Sequence, residues 1–254
     1  MEISKPSKNE IKFIKSLSIK KYRYKNASFI VEGLKSVQEF VHSGTKVQRI
    51  YLTSNLIEQL NFNMHIYECK IIDENSFKQL SEQNTPSGIL AIVEMPQIEL
   101  NKEELQKGCT LILDNVQDPG NLGTLIRLAD WFGIKQVVCS IGTVDCYNSK
   151  TVQATMGSLC RVPVFYENLL ELMEDQKNIK KYSAILGGQN LYETVVESPC
   201  FLILGNEANG INVDLKAFRN CGIEIPKMGK AESLNVAIAG GIILAEFHRQ
   251  FNKQ

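Results

Sequence analysis

The chain has 254 residues, 44% of them apolar and 22% charged, and its 28 basic and 28 acidic side chains leave a formal net charge of zero. That is apolar material for one large core or two ordinary ones, which excludes disordered and fibrous classes. No run approaches the ~20 apolar residues needed to cross a bilayer, and the lysine-rich start lacks the apolar core of a signal peptide, so a cytoplasmic protein without a membrane partner is expected.

The first 25 residues break the overall charge balance. They hold Lys5, Lys8, Lys12, Lys15, Lys20, Lys21, Arg23 and Lys25 against Glu2 and Glu10, with Tyr22 and Tyr24 interleaved. Such a segment suits phosphate contacts and base stacking, and equally a solvated basic helix. Residues 27–43 then read as a strand leading into a helix, with Val31, Leu34, Val37 and Val41 spaced for one buried face. Short apolar runs at 47–52, 70–72 and 89–93 complete a small α/β unit. The polar stretch 97–108 follows Pro96 and has the composition of a linker, which divides the chain into domains 1–100 and 101–254.

Beyond that division, nearly all-apolar runs at 110–114, 136–139, 162–165, 183–186, 201–204 and 222–225 alternate with helical stretches. Runs of this kind suit strands of a parallel sheet covered on both faces, so the second domain is expected to be α/β. The seven cysteines are scattered without a Cys-x-x-Cys pair, which suggests neither a disulfide framework nor a metal cluster.

Three segments carry candidate chemistry. In the first, a strand ending at Asp114 is followed by a Pro119-Gly120 loop and a helix. Asn121 can cap that helix, and Leu122, Leu125, Ile126, Ala129 and Phe132 form its buried stripe. Arg127 lies off the stripe, on the side of Gly123 and Thr124. An ordinary strand-loop-helix crossover with a surface arginine has the same spacing. The loop supplies neither a dinucleotide fingerprint nor a P-loop.

In the second segment, the strand 201–204 runs into Gly205, where backbone can approach a ligand, and then into Glu207 at the strand's carboxyl end. An Asn209-Gly210 turn with a solvated glutamate is the alternative. In the third, a strand ends at Pro226, a polar loop follows, and a helix begins near Ser233 that is apolar on almost every side through Phe247. Such a helix should be covered all round, and Ala237, Ala239, Gly240 and Gly241 invite close backbone packing. A purely structural helix leaves Ser233 and Asn235 at its start unaccounted for.

Taken in order, these segments resemble the three motifs of the SpoU (TrmH-like) branch of the SPOUT RNA methyltransferases, over about residues 110–250. The N-terminal unit, with Phe29 to Gly33 and Thr85 to Ala91, looks like the L30e-like substrate-binding domain many of them carry. The resemblance implies an α/β protein whose parallel-sheet SPOUT domain contains a deep trefoil knot, a rare exception among folds. It implies S-adenosyl-L-methionine held by main-chain groups at Gly205, Ile225 and Leu234, with Met228 and Ser233 lining the pocket. It further implies a homodimer that completes the active site across its interface, and methylation of a ribose 2′-hydroxyl in structured RNA without a metal. The separate N-terminal domain favours 23S ribosomal RNA; a transfer RNA enzyme or a non-catalytic ribosome-assembly factor are the alternatives.

By the same resemblance Arg127 is the leading catalytic residue, with Asn121, Glu207, Ser233 and Asn235 positioning it or the substrate. An arginine holds its proton tightly, so it acts either as a strongly tuned base or as a stabiliser of the developing oxyanion. Leu128 and Ala237 depart from the threonine and serine frequent in relatives.

Overall fold

The computed structural model describes residues 3–218 and 221–252. Two compact units divide the chain: one takes the residues up to Ile98 together with Asp145–Cys160, and the other takes Glu99–Val144 and the chain from Arg161 onward.

The first unit contains α1 (Lys8–Ser16), α2 (Lys20–Asn26), β1 (Ser28–Glu32), α3 (Leu34–His42), β2 (Val47–Leu52), β3 (Cys69–Ile71), α4 (Glu74–Leu80) and β4 (Ile89–Glu94). Its sheet has the order β1-β4-β2-β3, with β4 antiparallel to both neighbours and β2 parallel to β3. Period-two alternation in β1 sends Ile30 to one face, where it meets Ile14, Leu17, Tyr51, Phe77 and Leu90. Phe29 points to the other face, edge-on to Phe40 of α3 at 5.7 Å and 4.7 Å from the ring of Tyr147.

The contiguous division at residue 100 misses that last contact. The helix Ser149–Thr155 (α6) belongs to this first unit because the apolar face of β1 and α3 needs cover. At Gly157, where φ is +97°, an added Cβ would lie 2.7 Å from Glu39 Cβ, so the chain leaving α6 fits beside α3 only as glycine.

Two charged side chains pin the basic N-terminal segment. Ser7 caps α1: its Oγ accepts from Glu10 N–H at 3.3 Å, and Glu10 Oε2 accepts from Ser7 N–H at 2.9 Å. The other carboxylate oxygen of Glu10 accepts from Lys70 Nζ at 2.6 Å, Tyr51 OH at 2.8 Å and Arg49 Nη1 at 3.0 Å. Burial alone would raise the Glu10 pKa, but hydrogen bonds from Lys70, Ser7 and Tyr51 outweigh it and hold the carboxyl well below its usual 4.5.

Arg23 of α2 is buried and fully engaged. Its Nη1 donates to the carbonyls of Leu17 at 2.9 Å and Ser18 at 2.7 Å, and its Nε and Nη2 donate to Asp145 Oδ2 at 3.1 and 2.6 Å. Asp145 Oδ1 accepts from Tyr147 N–H and from Tyr24 OH. With the two charged side chains only 3% and 5% exposed, desolvation is large, and the extra hydrogen bonds are what make the pair tolerable.

The second unit contains β5 (Cys109–Leu113), α5 (Pro119–Trp131), β6 (Val137–Ser140), β7 (Val164–Glu167), α7 (Leu169–Asp175), β8 (Lys180–Asn190), β9 (Cys200–Leu204), α8 (Val213–Lys216), β10 (Cys221–Glu224) and α9 (Val236–Phe251). Each of the six apolar runs seen in the sequence is a strand. They form one sheet in the order β10-β8-β9-β5-β6-β7, and every neighbouring pair is parallel. The central strands β5 and β9 are buried on both faces, which is why Leu111–Leu113 and Phe201–Leu204 show no polar alternation.

The stretch 97–108 is less of a linker than its polarity suggests, because Leu105 inserts into the core beside Ile112, Phe201 and Leu172. Gly240 lets α9 approach closely: an added Cβ would lie 2.7 Å from Leu125 Cδ2 of α5 and 2.9 Å from Leu204 Cδ1 of β9. The helix is not covered all round, however, since Ile238 and Ala245 are exposed. No helix among the described residues is long and apolar enough to cross a membrane.

Removing one member of the buried pair leaves the other charge without compensation. Asp145→Ala is therefore expected to destabilise the protein by about 3–5 kcal/mol, read as a lowered urea midpoint; a loss under about 1 kcal/mol would show that Arg23 finds other partners. Because the Glu10 pKa is depressed by folding, its contribution is present above the unfolded carboxylate value of about 4.3 and is lost as pH falls below it. The gap in urea midpoint between wild type and Glu10→Gln should hold steady from pH 7 to about 5 and narrow toward pH 3. A pH-independent gap would refute that role.

Candidate active site

In a sheet whose strands are all parallel, every carboxyl end lies on one edge, and loops leaving that edge are where such sheets place ligands. Here β5 runs out into Asp114 and Asn115, β9 into Gly205 and β10 into Ile225. The strand order puts β8 between β9 and β10, so Gly205 and Ile225 leave the edge about 10 Å apart by strand spacing.

The loop after β9 folds back on its own strand. Asn206 and Gly210 exchange both backbone hydrogen bonds, at 3.0 and 2.9 Å, and Asn206 Oδ1 accepts from the N–H groups of Ala208 and Asn209. A Cβ on Gly205 would stand 2.4 Å from Gly210 C and Ile211 N, so backbone proximity within the protein itself demands glycine there. Asn206 Nδ2 donates to the Asn115 carbonyl at 2.8 Å, and the buried Asp114 carboxylate accepts from Asn212 N–H at 2.7 Å. These two bonds tie the loop to the end of β5. Sequence reasoning missed Asp114, Asn115 and Asn206; the signal was present in Asn115, whose φ of +55° asparagine tolerates better than most residues.

The cap of α5 is Asp118, whose Oδ1 accepts from Asn121 N–H at 2.8 Å, and not Asn121 as expected from the sequence. With Pro119 taking the first helical position, the cap falls just before it, and the Asn121 side chain is released for other work. Its Nδ2 donates to Glu207 Oε1 at 2.8 Å, and its Oδ1 accepts from Asn235 Nδ2 at 2.9 Å. Asn235 caps α9, its Oδ1 accepting from the N–H groups of Ala237 and Ile238. The cap dictates the whole series: Asn235 must present oxygen to the helix, hence nitrogen to Asn121, which must then present nitrogen to Glu207. Three residues from three distant segments are thereby joined in one oriented polar chain.

Other predicted residues stand apart from that chain. Arg127 is exposed on α5 and makes no hydrogen bond or ion pair with a described residue. Gly120 and Gly123 precede it on the same helix face by seven and four residues, so little side-chain bulk lies between the loop and the guanidinium. Ser233 and Leu234 are exposed just before α9, and Met228 is fully exposed. From Pro226 to Leu234 no main-chain group is hydrogen-bonded to a described residue, so these N–H and C=O groups are open to a partner. Open main chain bordered by Ile225, Met228 and Leu234 is a donor set suited to a neutral heterocycle, which offers an apolar face and hydrogen-bonding edges. Trp131, at the end of α5 and off the apolar stripe of that helix, is 83% exposed.

Comparison with known proteins identifies the family. Residues 108–245 match the SpoU rRNA methylase family, and residues 8–91 match an MRM3-like substrate binding domain. The chain is 34% identical over 246 residues to the 23S rRNA (guanosine(2553)-2′-O)-methyltransferase RlmP of Bacillus subtilis, covering 96% of this chain and 97% of the relative. Among solved structures it is similar to a putative RNA methyltransferase of the TrmH family from Porphyromonas gingivalis, with 36% identity, a TM-score of 0.87 and coverage of 97% and 100% of the two chains. An AdoMet-bound rRNA methyltransferase from Sinorhizobium meliloti superposes with a TM-score of 0.86 at 30% identity, covering 98% and 97%. With its α/β fold, its six-stranded parallel sheet and more than half of its length matched, the chain belongs to the SpoU rRNA methylase family.

Proposed function

We propose that this protein is an S-adenosyl-L-methionine-dependent methyltransferase that modifies a ribose 2′-hydroxyl of 23S ribosomal RNA. The observation that carries the reading is the oriented chain Asn235–Asn121–Glu207, which gathers the starts of α5 and α9 and the loop after β9 at one sheet edge, on the same unit as the exposed Arg127. The relatives named 23S rRNA methyltransferases, and the relative solved with AdoMet bound, support both substrate and cofactor.

The cofactor supplies an electrophilic methyl group on a sulfonium. Main-chain groups at Gly205, Ile225 and Leu234 would hold it, with Met228 and Ser233 along the same lining. The remaining task of the protein is to place the ribose oxygen in line and to ease loss of its proton, and no metal is needed for that. Arg127 holds its charge free of any described carboxylate, so it is available to an RNA phosphate and to the oxygen as negative charge develops there. Asn121, Glu207, Ser233 and Asn235 position the substrate or the arginine.

Residues 1–100, joined in space by Asp145–Cys160, act as an L30e-like substrate-binding domain, and the rest of residues 101–254 as the methyltransferase domain, closed as a deep trefoil knot. A homodimer is supported by the apolar side chains left exposed along α5 and α9, chiefly Trp131 and Ile238. A bacterial 23S rRNA substrate, like that of the Bacillus subtilis relative, supports work in the cytoplasm.

Mapping of 2′-O-methyl marks in 23S rRNA from cells with and without this protein should reveal one mark that disappears; an unchanged map would overturn the reading. Arg127→Ala is expected to keep the S-adenosylmethionine affinity of wild type while its methyl transfer to RNA falls by about 100-fold or more, the scale of losing a charge-stabilising donor. Undiminished turnover would remove Arg127 from the mechanism.

A further inference from the structure

The basic N-terminal segment sorts its charges by direction. Glu10, the single acid between residues 3 and 26, faces inward onto Lys70, Tyr51 and Arg49. Arg23 faces inward onto Asp145. The outward residues are then Lys5, Lys8, Lys12, Lys15, Lys20, Lys21 and Lys25, all exposed; Tyr22 is exposed among them, and so is the ring of Tyr24, whose OH turns inward to Asp145. Apart from Lys20, which lies 5.6 Å over the Tyr24 ring, none of these lysines has an ion pair or side-chain hydrogen bond with a described residue.

Helix geometry arranges them in rows. Lys8, Lys12 and Lys15 follow one another at i, i+4 and i+7 along α1, while Lys20–Tyr24 and Lys21–Lys25 are i, i+4 pairs on α2. As an isolated helix α2 is poorly designed. It has no side-chain cap, two lysines and no acid in its first turn, and a like-charge pair along its side. A helix that breaks local rules is held by something else, here the Arg23 guanidinium, which bonds the turn between α1 and α2 as well as Asp145. Apart from Lys20, nothing among the described residues uses these lysines as ion-pair partners.

We propose that the lysine and tyrosine face of α1 and α2 is a docking surface for the RNA substrate, the lysines contacting backbone phosphates and Tyr22 and Tyr24 stacking on unpaired bases. The identity of this partner rests on the proposed methylation of ribosomal RNA. A zero net charge does not oppose it, because phosphate binding responds to the local row of cations rather than to the sum over the chain. Arg23 is a positioning residue in this scheme: its charge is satisfied internally, and it fixes the platform that carries the others.

The test uses the full chain and unmodified Bacillus subtilis 23S rRNA made by transcription. A variant with Lys12→Gln, Lys15→Gln, Lys20→Gln, Lys21→Gln and Lys25→Gln keeps side-chain bulk and helix propensity. Each lost phosphate contact lowers the slope of log affinity against log salt by about 0.7–0.9, so the slope should fall by at least about two and RNA affinity by at least about tenfold. S-adenosylmethionine affinity, which also reports that the chain is folded, should match wild type. Tyr22→Leu with Tyr24→Leu should weaken binding by about fivefold or more without changing the salt slope.

An equal charge change at Lys46, Lys78, Lys102, Lys107 and Lys177 serves as the comparison and should leave both quantities near wild type. Wild-type slope in the first variant, equal losses in both, or binding to phosphatidylglycerol vesicles in place of RNA would each overturn the docking surface. Wild-type protein that binds RNA through this face yet transfers no methyl group would instead sink the enzymatic reading and leave the surface standing.

Discussion

The arrangement of the candidate site depends on a single residue that caps a helix. Asn235 must turn its side-chain oxygen toward the first N–H groups of α9, and this choice fixes the orientation of every amide that follows, through Asn121 to Glu207. A helix start, a loop after β9 and the first turn of α5 are thus held in register by the ordinary need to satisfy orphan N–H groups. The parallel sheet makes this possible, because it delivers all three segments to one edge. The same logic appears in Asp118, which takes over the capping of α5 and so frees Asn121 to join the chain.

A second constraint governs the N-terminal unit. Its inward charges, half-buried Glu10 and buried Arg23, are each surrounded by enough partners to offset desolvation: three donors on one oxygen of Glu10, and two carbonyls plus a carboxylate on Arg23. Lys5, Lys8, Lys12, Lys15, Lys21 and Lys25, exposed on the same segment, have no ion pair or side-chain hydrogen bond with a described residue. Separating a segment's charges into inward anchors and outward cations gives rigidity and a positive surface from one short stretch of chain. Frequent i, i+4 salt bridges would have stabilised the helices more while cancelling that surface.

The strands of the second unit were legible because burial on both faces removes polar residues altogether, and a run such as Phe201–Leu204 fits little besides a doubly covered strand. The glycine at 205 was legible as a close approach, although the neighbour proves to be the backbone of Gly210. Less could be read where tertiary packing overrides local pattern. Leu105 sits in a polar stretch and still enters the core, and the segment Asp145–Cys160 joins the first unit through Tyr147 and Gly157, neither of which belongs to a periodic run. The cap of α5 was misplaced because Asp118 and Asn121 are both good cap residues, and only the proline between them shows which one the helix uses.

The exposed end of α5 bears on how such a site can work. Trp131 and Arg127 are one helical turn apart, and both are exposed among the described residues. Exposing a tryptophan to this degree is unfavourable for an isolated protomer, whereas an exposed arginine carries no such penalty. In the proposed dimer, a second protomer covering Trp131 would approach Arg127 as well and reduce the water around the guanidinium; in the role proposed for Arg127, that would strengthen its field on the ribose. Dimer formation and catalytic competence would then share one helix face, and the apolar contact that stabilises the assembly would also set the dielectric in which the arginine acts.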